Sequence, residues 1–148
     1  MNALDESNEA VQTVVMTSID NLSTAPADSS STGTAAILDR FNRAFLEHDP
    51  ALLDALIAPD CEVERAQPTP EGTHLVGRDA CLANWRALAL NRQGTFTIED
   101  VRVMGEIGLI FWHYRFGAEA GQAQRGLNVM VVRDGLVVSG RGYTKAAA

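Results

Sequence analysis

The most constraining feature of this 148-residue chain is a change of period at Gly94. Upstream of it, apolar residues recur at helical spacing. Ile37, Leu38, Phe41, Phe45 and His48 follow a 3.6-residue period, with Thr34 as the expected N-cap. Asp49-Pro50 reads as the cap and first residue of a second helix, which buries Leu52, Leu53, Leu56 and Ile57 and ends at Pro59-Asp60. Residues 61–66 read as a short strand and 68–72 as a turn-rich loop. Gly77-Arg78-Asp79 opens a third helix that runs through Trp85 to Leu90. Downstream of Gly94 the pattern alternates. Residues 95–104, 109–117, 124–133 and 136–144 are four strand-like runs, and Asp134-Gly135 suits a tight hairpin turn. Three helices followed by four meandering strands predict an α+β domain, with helices covering the concave face of a curved antiparallel sheet. A cavity can form where the two layers diverge.

Residues 1–34 differ from this pattern. The run 22–34 is small, polar and breaker-rich, which predicts a flexible leader ahead of a domain spanning 35–148. Residues 10–19 have no clear period, and Met16 offers a second possible start. The leader carries five acids and no base, within a formal net charge of -7. Neither part offers a cationic footprint for phosphates, so nucleic acid is not an expected partner. No apolar run approaches the roughly 18 residues of a membrane span, and no secretory signal is visible. Cys61 and Cys81 are the only cysteines, and their spacing suggests neither zinc nor redox work. A cytoplasmic protein with two reduced, buried thiols is expected.

The order of elements resembles the nuclear transport factor 2-like superfamily, and most closely its SnoaL-like branch. The segments that carry the resemblance are FNRAFLEHDPALLDALIAPDCEVE, PEGTHLVGRDACLANW and NVMVVRDGLVVSGRGYTK, within roughly residues 35–146. The resemblance implies a cone-shaped α+β barrel with a pocket at one end. It also implies activities that range from isomerases, dehydratases, epoxide hydrolases and polyketide cyclases to non-catalytic binding proteins, so function must be argued from the pocket. The aspartate base of ketosteroid isomerases is replaced by Arg65, their tyrosine donor by Phe41 and their protonated aspartate by Asn128. The epoxide hydrolase aspartate is replaced by Gly142. His113 and Asn128 resemble part of the scytalone dehydratase set.

The aligned phase makes Phe111, His113 and Arg115 face the cone. His113 then acts as a general acid/base and Arg115 as an anion stabiliser. The opposite phase turns Trp112 and Tyr114 inward and leaves His113 and Arg115 solvated or at a dimer contact. Asn128 shares its phase with Met130 and interrupts an apolar run, so it reads as a donor to a substrate oxygen or as a structural amide. Arg65 reads as a pocket cation or a rim salt bridge. Gly140 and Gly142 leave space on one face of the last strand or bend it. Trp85 lies near the mouth of the cone. No phosphate loop, nucleophile elbow or metal-ligand spacing occurs, and no cofactor is expected.

These residues predict a cofactor-free enzyme that cyclises, isomerises or dehydrates a hydrophobic polyketide-type intermediate. His113, Arg115, Asn128 and Arg65 are its expected catalytic set. Phe41, Trp85, Phe111, Met130, Gly140 and Gly142 are expected around the substrate. A non-catalytic ligand-binding or dimerisation module is the alternative. The patch Ile110, Trp112, Tyr114 and Phe116 is expected outside, pairing two copies in a homodimer.

Overall fold

A computed structural model describes residues 28–145. Most of the expected leader therefore lies outside the described residues, including the aperiodic segment 10–19. The elements are α1 (Ser29–Leu46), a 3-10 turn (Pro50–Leu53), β1 (Ile57–Arg65), β2 (Thr73–Val76), α2 (Arg78–Leu90), β3 (Thr95–Met104), β4 (Ile107–Arg115), β5 (Ala123–Arg133) and β6 (Leu136–Thr144).

Helix α1 begins earlier than its periodicity suggested. Asp28 is the N-cap, its Oδ1 accepting from the Ser31 amide at 2.6 Å. That hydrogen bond holds the Asp28 carboxyl below its ordinary range. Thr34, the expected cap, is instead 2% exposed inside the helix. Its hydroxyl donates to the Gly105 carbonyl at 2.7 Å, and the Gly105 amide donates to Ser31 Oγ at 2.8 Å. Those two bonds tie the first turns of α1 to the β3–β4 hairpin.

The second expected helix is only the four-residue 3-10 turn, opened by Asp49 accepting from the Ala51 amide. The backbone leaves the turn because β6 captures it. The Val137 amide donates to the Leu56 carbonyl at 2.7 Å, and Ile57 already pairs with Val137. There are thus two α-helices among the described residues, where three were expected. The sheet also differs. Its order is β2-β1-β6-β5-β4-β3, and β1 pairs with β6 in parallel while all other pairs are antiparallel. It is a mixed sheet with two open edges, β2 and β3, and not a closed barrel. Short β2 has no counterpart among the expected strands.

Both helices lie on one face of the sheet. Leu38 and Phe41 of α1, Cys81 and Trp85 of α2, and Ile110, Met130 and Val137 of the sheet form the buried core between the layers. The hairpin turn at Asp134-Gly135 forms as expected, with both residues at positive φ. No helix among the described residues is long and apolar enough to cross a membrane.

Cys61 and Cys81 are both fully buried, and Cys81 Sγ donates to the Cys61 carbonyl at 3.2 Å. Burial pushes the Cys61 thiol from 9.0 to about 12 and raises Cys81 as well. Native protein at pH 8 should leave both thiols unreacted with Ellman's reagent, and denaturant should release two. The folded state holds the Cys61 proton more tightly than the unfolded chain. Its stabilising contribution is therefore present below pH 9 and is lost as pH rises toward 12. Denaturation midpoints across that range check the sign.

Candidate functional site

The site is a cavity of about 250 Å³ between the helices and the concave face of the sheet. Its base is apolar, formed by Phe41 of α1, Val63 of β1, Trp85 of α2, Ile110 of β4 and Met130 of β5. A chain of aromatic rings continues along one wall. Trp85 meets Phe41 edge-on at 5.0 Å, Phe41 packs on Phe45 at 5.0 Å, and Phe45 meets Phe96 at 5.8 Å. Phe96 then packs on Trp112 at 5.9 Å and on Tyr114 at 4.5 Å. Such pairs keep the wall in place while presenting a flat apolar surface. Polar residues gather elsewhere in the lining: Asn42, Asn84, Gln67, Gln124 and Thr144, with the charged Glu64, Arg65 and Arg141.

One half-buried polar group in this lining is held by chemistry that permits a single orientation. Trp112 and Gly126 are directly opposite on β4 and β5, and Gly126 has no side chain to obstruct the indole. The ring therefore lies over the neighbouring strand, and Nε1 donates to Asn128 Oδ1 at 3.2 Å. An indole N–H only donates, so the amide oxygen must face it. The Asn128 Nδ2 donor is left without a partner among the described residues, at the cavity wall. Opposite Asn128, Gly142 keeps the adjoining space clear.

Asn42 is the second informative amide. It is 8% exposed on α1, lines the cavity, and makes no side-chain hydrogen bond among the described residues. Its amide atoms keep access to the cavity or solvent, since no side-chain N or O atom among the described residues is both buried and unpaired.

The structure brings together Arg65, Asn128, Phe41, Trp85, Met130, Gly140 and Gly142 around this cavity. It does not bring His113, Arg115 or Phe111 to it. On β4 the cavity-facing residues are Ile110, Trp112 and Tyr114, so strand alternation turns Leu109, Phe111, His113 and Arg115 to the other face. His113 lies between Thr97 and Arg125, and Arg115 donates to the Gly117 carbonyl at 3.2 Å. The proton-moving role expected of His113 and the anion-holding role expected of Arg115 are therefore corrected. The patch expected outside is corrected with them, since Ile110, Trp112 and Tyr114 are inside and only Phe116 is exposed.

Sequence reasoning passed over Asn42, and it had Trp112 and Tyr114 inside only in the alternative phase of 109–116, which is the one observed. Asn42 had a readable signal, because 38, 41, 42 and 45 share one helix face and it is the polar member. Among the described residues no group of three or more His, Cys, Asp or Glu is arranged to hold a metal ion.

The model of the SnoaL-like domain family matches residues 38–140. Among solved structures, an NTF2-like protein of unknown function from Mesorhizobium loti is 39% identical, with a TM-score of 0.76. That alignment covers 82% of this chain and 98% of that one. A LEH-like epoxide hydrolase from M. tuberculosis is 16% identical, with a TM-score of 0.63 over 80% of this chain and 83% of that one. A protein from Jannaschia sp. CCS1, provisionally assigned as a SnoaL-like polyketide cyclase, is 14% identical. Its TM-score is 0.65, over 82% of this chain and 91% of that one. No functionally curated protein matches by sequence.

Gly140 offers a direct test of the cavity base. A Cβ there would lie 2.9 Å from the Trp85 ring and 3.3 Å from Met130 Sδ. Gly140→Val should therefore fill the base and weaken binding of an apolar aromatic probe by roughly tenfold or more, about one lost buried aliphatic group. A titration by tryptophan fluorescence reads this, with thermal unfolding run beside it to separate packing strain from lost volume.

Proposed function

The chain belongs to the SnoaL-like family of the nuclear transport factor 2-like superfamily, and from that premise we propose that it takes up a hydrophobic, oxygenated small molecule of polyketide type. We propose further that it catalyses that molecule's cyclisation, isomerisation or dehydration without a cofactor. The observation that carries this reading is the Asn128 amide, pinned by Trp112 with its donor side toward the cavity. A ligand carbonyl that accepts from Nδ2 gains a preorganised hydrogen bond, which strengthens as negative charge develops on the oxygen. The aromatic wall supplies the second contribution, by holding a flexible chain in a reactive fold.

The lining carries no histidine or aspartate side chain among the described residues. Glu64 also lines the cavity, but its carboxylate lies 3.9 Å from Arg141 Nε, which offsets its charge. A reaction here would therefore rely on shape and on the Asn128 donor, with proton movement left to the substrate or water. The same observation favours the second reading, a ligand-binding module without catalysis. Incubation with a linear poly-β-keto thioester, followed by mass spectrometry and NMR of the products, separates the two. Turnover to a cyclised or dehydrated product supports the enzyme. Saturable binding with unchanged substrate supports the module.

Asn128→Ala should weaken binding of 2-acetylnaphthalene by several-fold up to about tenfold, the worth of one net hydrogen bond. Asn128→Asp should bind the ketone more weakly still at neutral pH, because an ionised carboxylate cannot donate. Its binding should recover on acidification, as the protonated acid regains a donor. Fluorescence titrations at two pH values check both.

A homodimer also remains our proposal, on the other face of the sheet. Leu109 and Phe111 of β4 and Leu127, Val129 and Val131 of β5 turn away from the helices, and no described element covers them. Val129→Lys should convert a dimer to monomers in light scattering at micromolar concentration. A monomeric wild-type chain would remove the proposal.

A further inference from the structure

We infer that the ligand carries a carboxylate, which Arg65 holds at the rim of the cavity. This inference rests on the pocket reading above and adds the ligand's charge to it. Val63 and Arg65 share one face of β1, opposite Leu75 and Thr73 of β2. Val63 is buried in the base, and Arg65 reaches the exposed rim two residues further along the strand. The segment that follows is held in place, with Thr73 Oγ1 donating to the Gln67 carbonyl at 2.8 Å and the Gly72 amide to the Pro68 carbonyl at 2.7 Å.

Most arginines of this chain are committed. Arg43, Arg86, Arg102, Arg125, Arg133 and Arg141 each pair with a carboxylate. Arg78 and Arg115 donate to backbone carbonyls. Arg65 has no such partner among the described residues. Arg40 and Arg92 share that condition but do not line the cavity. Arg141, the other cation at the rim, is balanced by Glu64 at 3.9 Å. Glu62 is taken by His74 at 3.1 Å, and Glu71 in the neighbouring loop makes no ion pair among the described residues. The lining thus carries one uncompensated positive charge, in a chain whose formal net charge is -7.

A guanidinium fork matches a carboxylate with two parallel hydrogen bonds. The ligand then has three parts in order: an apolar body against the aromatic wall, a carbonyl at Asn128, and an acid at Arg65. Because Arg65 is exposed, its pairing is screened and modest, so it acts on selectivity more than on overall affinity.

The test uses the full chain and a matched pair of probes, 2-naphthylacetate and its methyl ester, titrated by tryptophan fluorescence. Wild-type protein should prefer the acid by roughly fivefold at low salt, and 0.5 M salt (about a 4 Å Debye length) should remove most of that preference. Arg65→Gln should bind acid and ester equally, while Arg92→Gln keeps the preference. Equal binding of the two probes by wild type, or a preference that survives in Arg65→Gln, overturns the inference and leaves the apolar pocket standing. If neither probe binds, the pocket reading fails together with it.

Discussion

The structure depends on a close approach at Gly108. This residue lies in β4 opposite Met130, on the face that meets the helices. A Cβ there would strike the Leu38 side chain of α1 and approach Thr34 at 3.7 Å. The missing side chain lets α1 settle directly on the sheet, where Thr34 and Ser31 fasten it to Gly105. Once Gly108 faces the helix, alternation leaves no choice further along the strand. Ile110, Trp112 and Tyr114 face inward with it, and His113 faces out.

That phase decides what kind of chemistry the cavity can host. With His113 inside, the site would have had an imidazole to move a proton. With Trp112 inside, it has an aromatic wall and a fixed amide. The indole does two things at once. It packs edge-on against Phe96 at 5.9 Å, and it spends its only donor on Asn128 Oδ1. A cavity with an apolar base and wall and a donor of fixed orientation recognises a carbonyl by geometry.

Much of the architecture was legible. The four strand-like runs, the Asp134-Gly135 turn and helix α2 follow from period and turn chemistry, and those signals are local. The failures were non-local. The run 109–116 has one wholly apolar and aromatic face, Ile110, Trp112, Tyr114 and Phe116, and one mixed face with His113 and Arg115, and alternation alone does not say which of them meets the helices. The choice needed the β4–β5 register, in which Ile110 lies opposite Asn128 and Trp112 opposite Gly126. An inward Asn128 and an inward His113 are incompatible in that register, because directly paired residues share a face. Gly108 was the one residue in the strand that could have signalled the close helix. The second helix failed for a similar reason. Asp49-Pro50 does start a turn, but β6 takes the Leu56 carbonyl and draws the chain into a parallel pair. Of the expected site, Asn128 was readable as a polar interruption of an apolar run, with Met130 on its phase, the two glycines were readable as gaps in a strand, and Arg65 followed from the phase that the family resemblance implies. Asn42 was also legible in principle, as the one polar residue on the apolar helix face of Leu38, Phe41 and Phe45.

The most direct test of this account is NMR of the side-chain N–H groups during titration with 2-acetylnaphthalene. The Asn128 amide donor and the Trp112 indole N–H should shift together and saturate with binding, because the ligand carbonyl accepts from the former while the latter holds its oxygen. The ring signals of His113 should stay still. Shifts concentrated at His113 and the Arg115 guanidinium, with Asn128 and Trp112 unmoved, would contradict the inward phase of β4 and the site built on it.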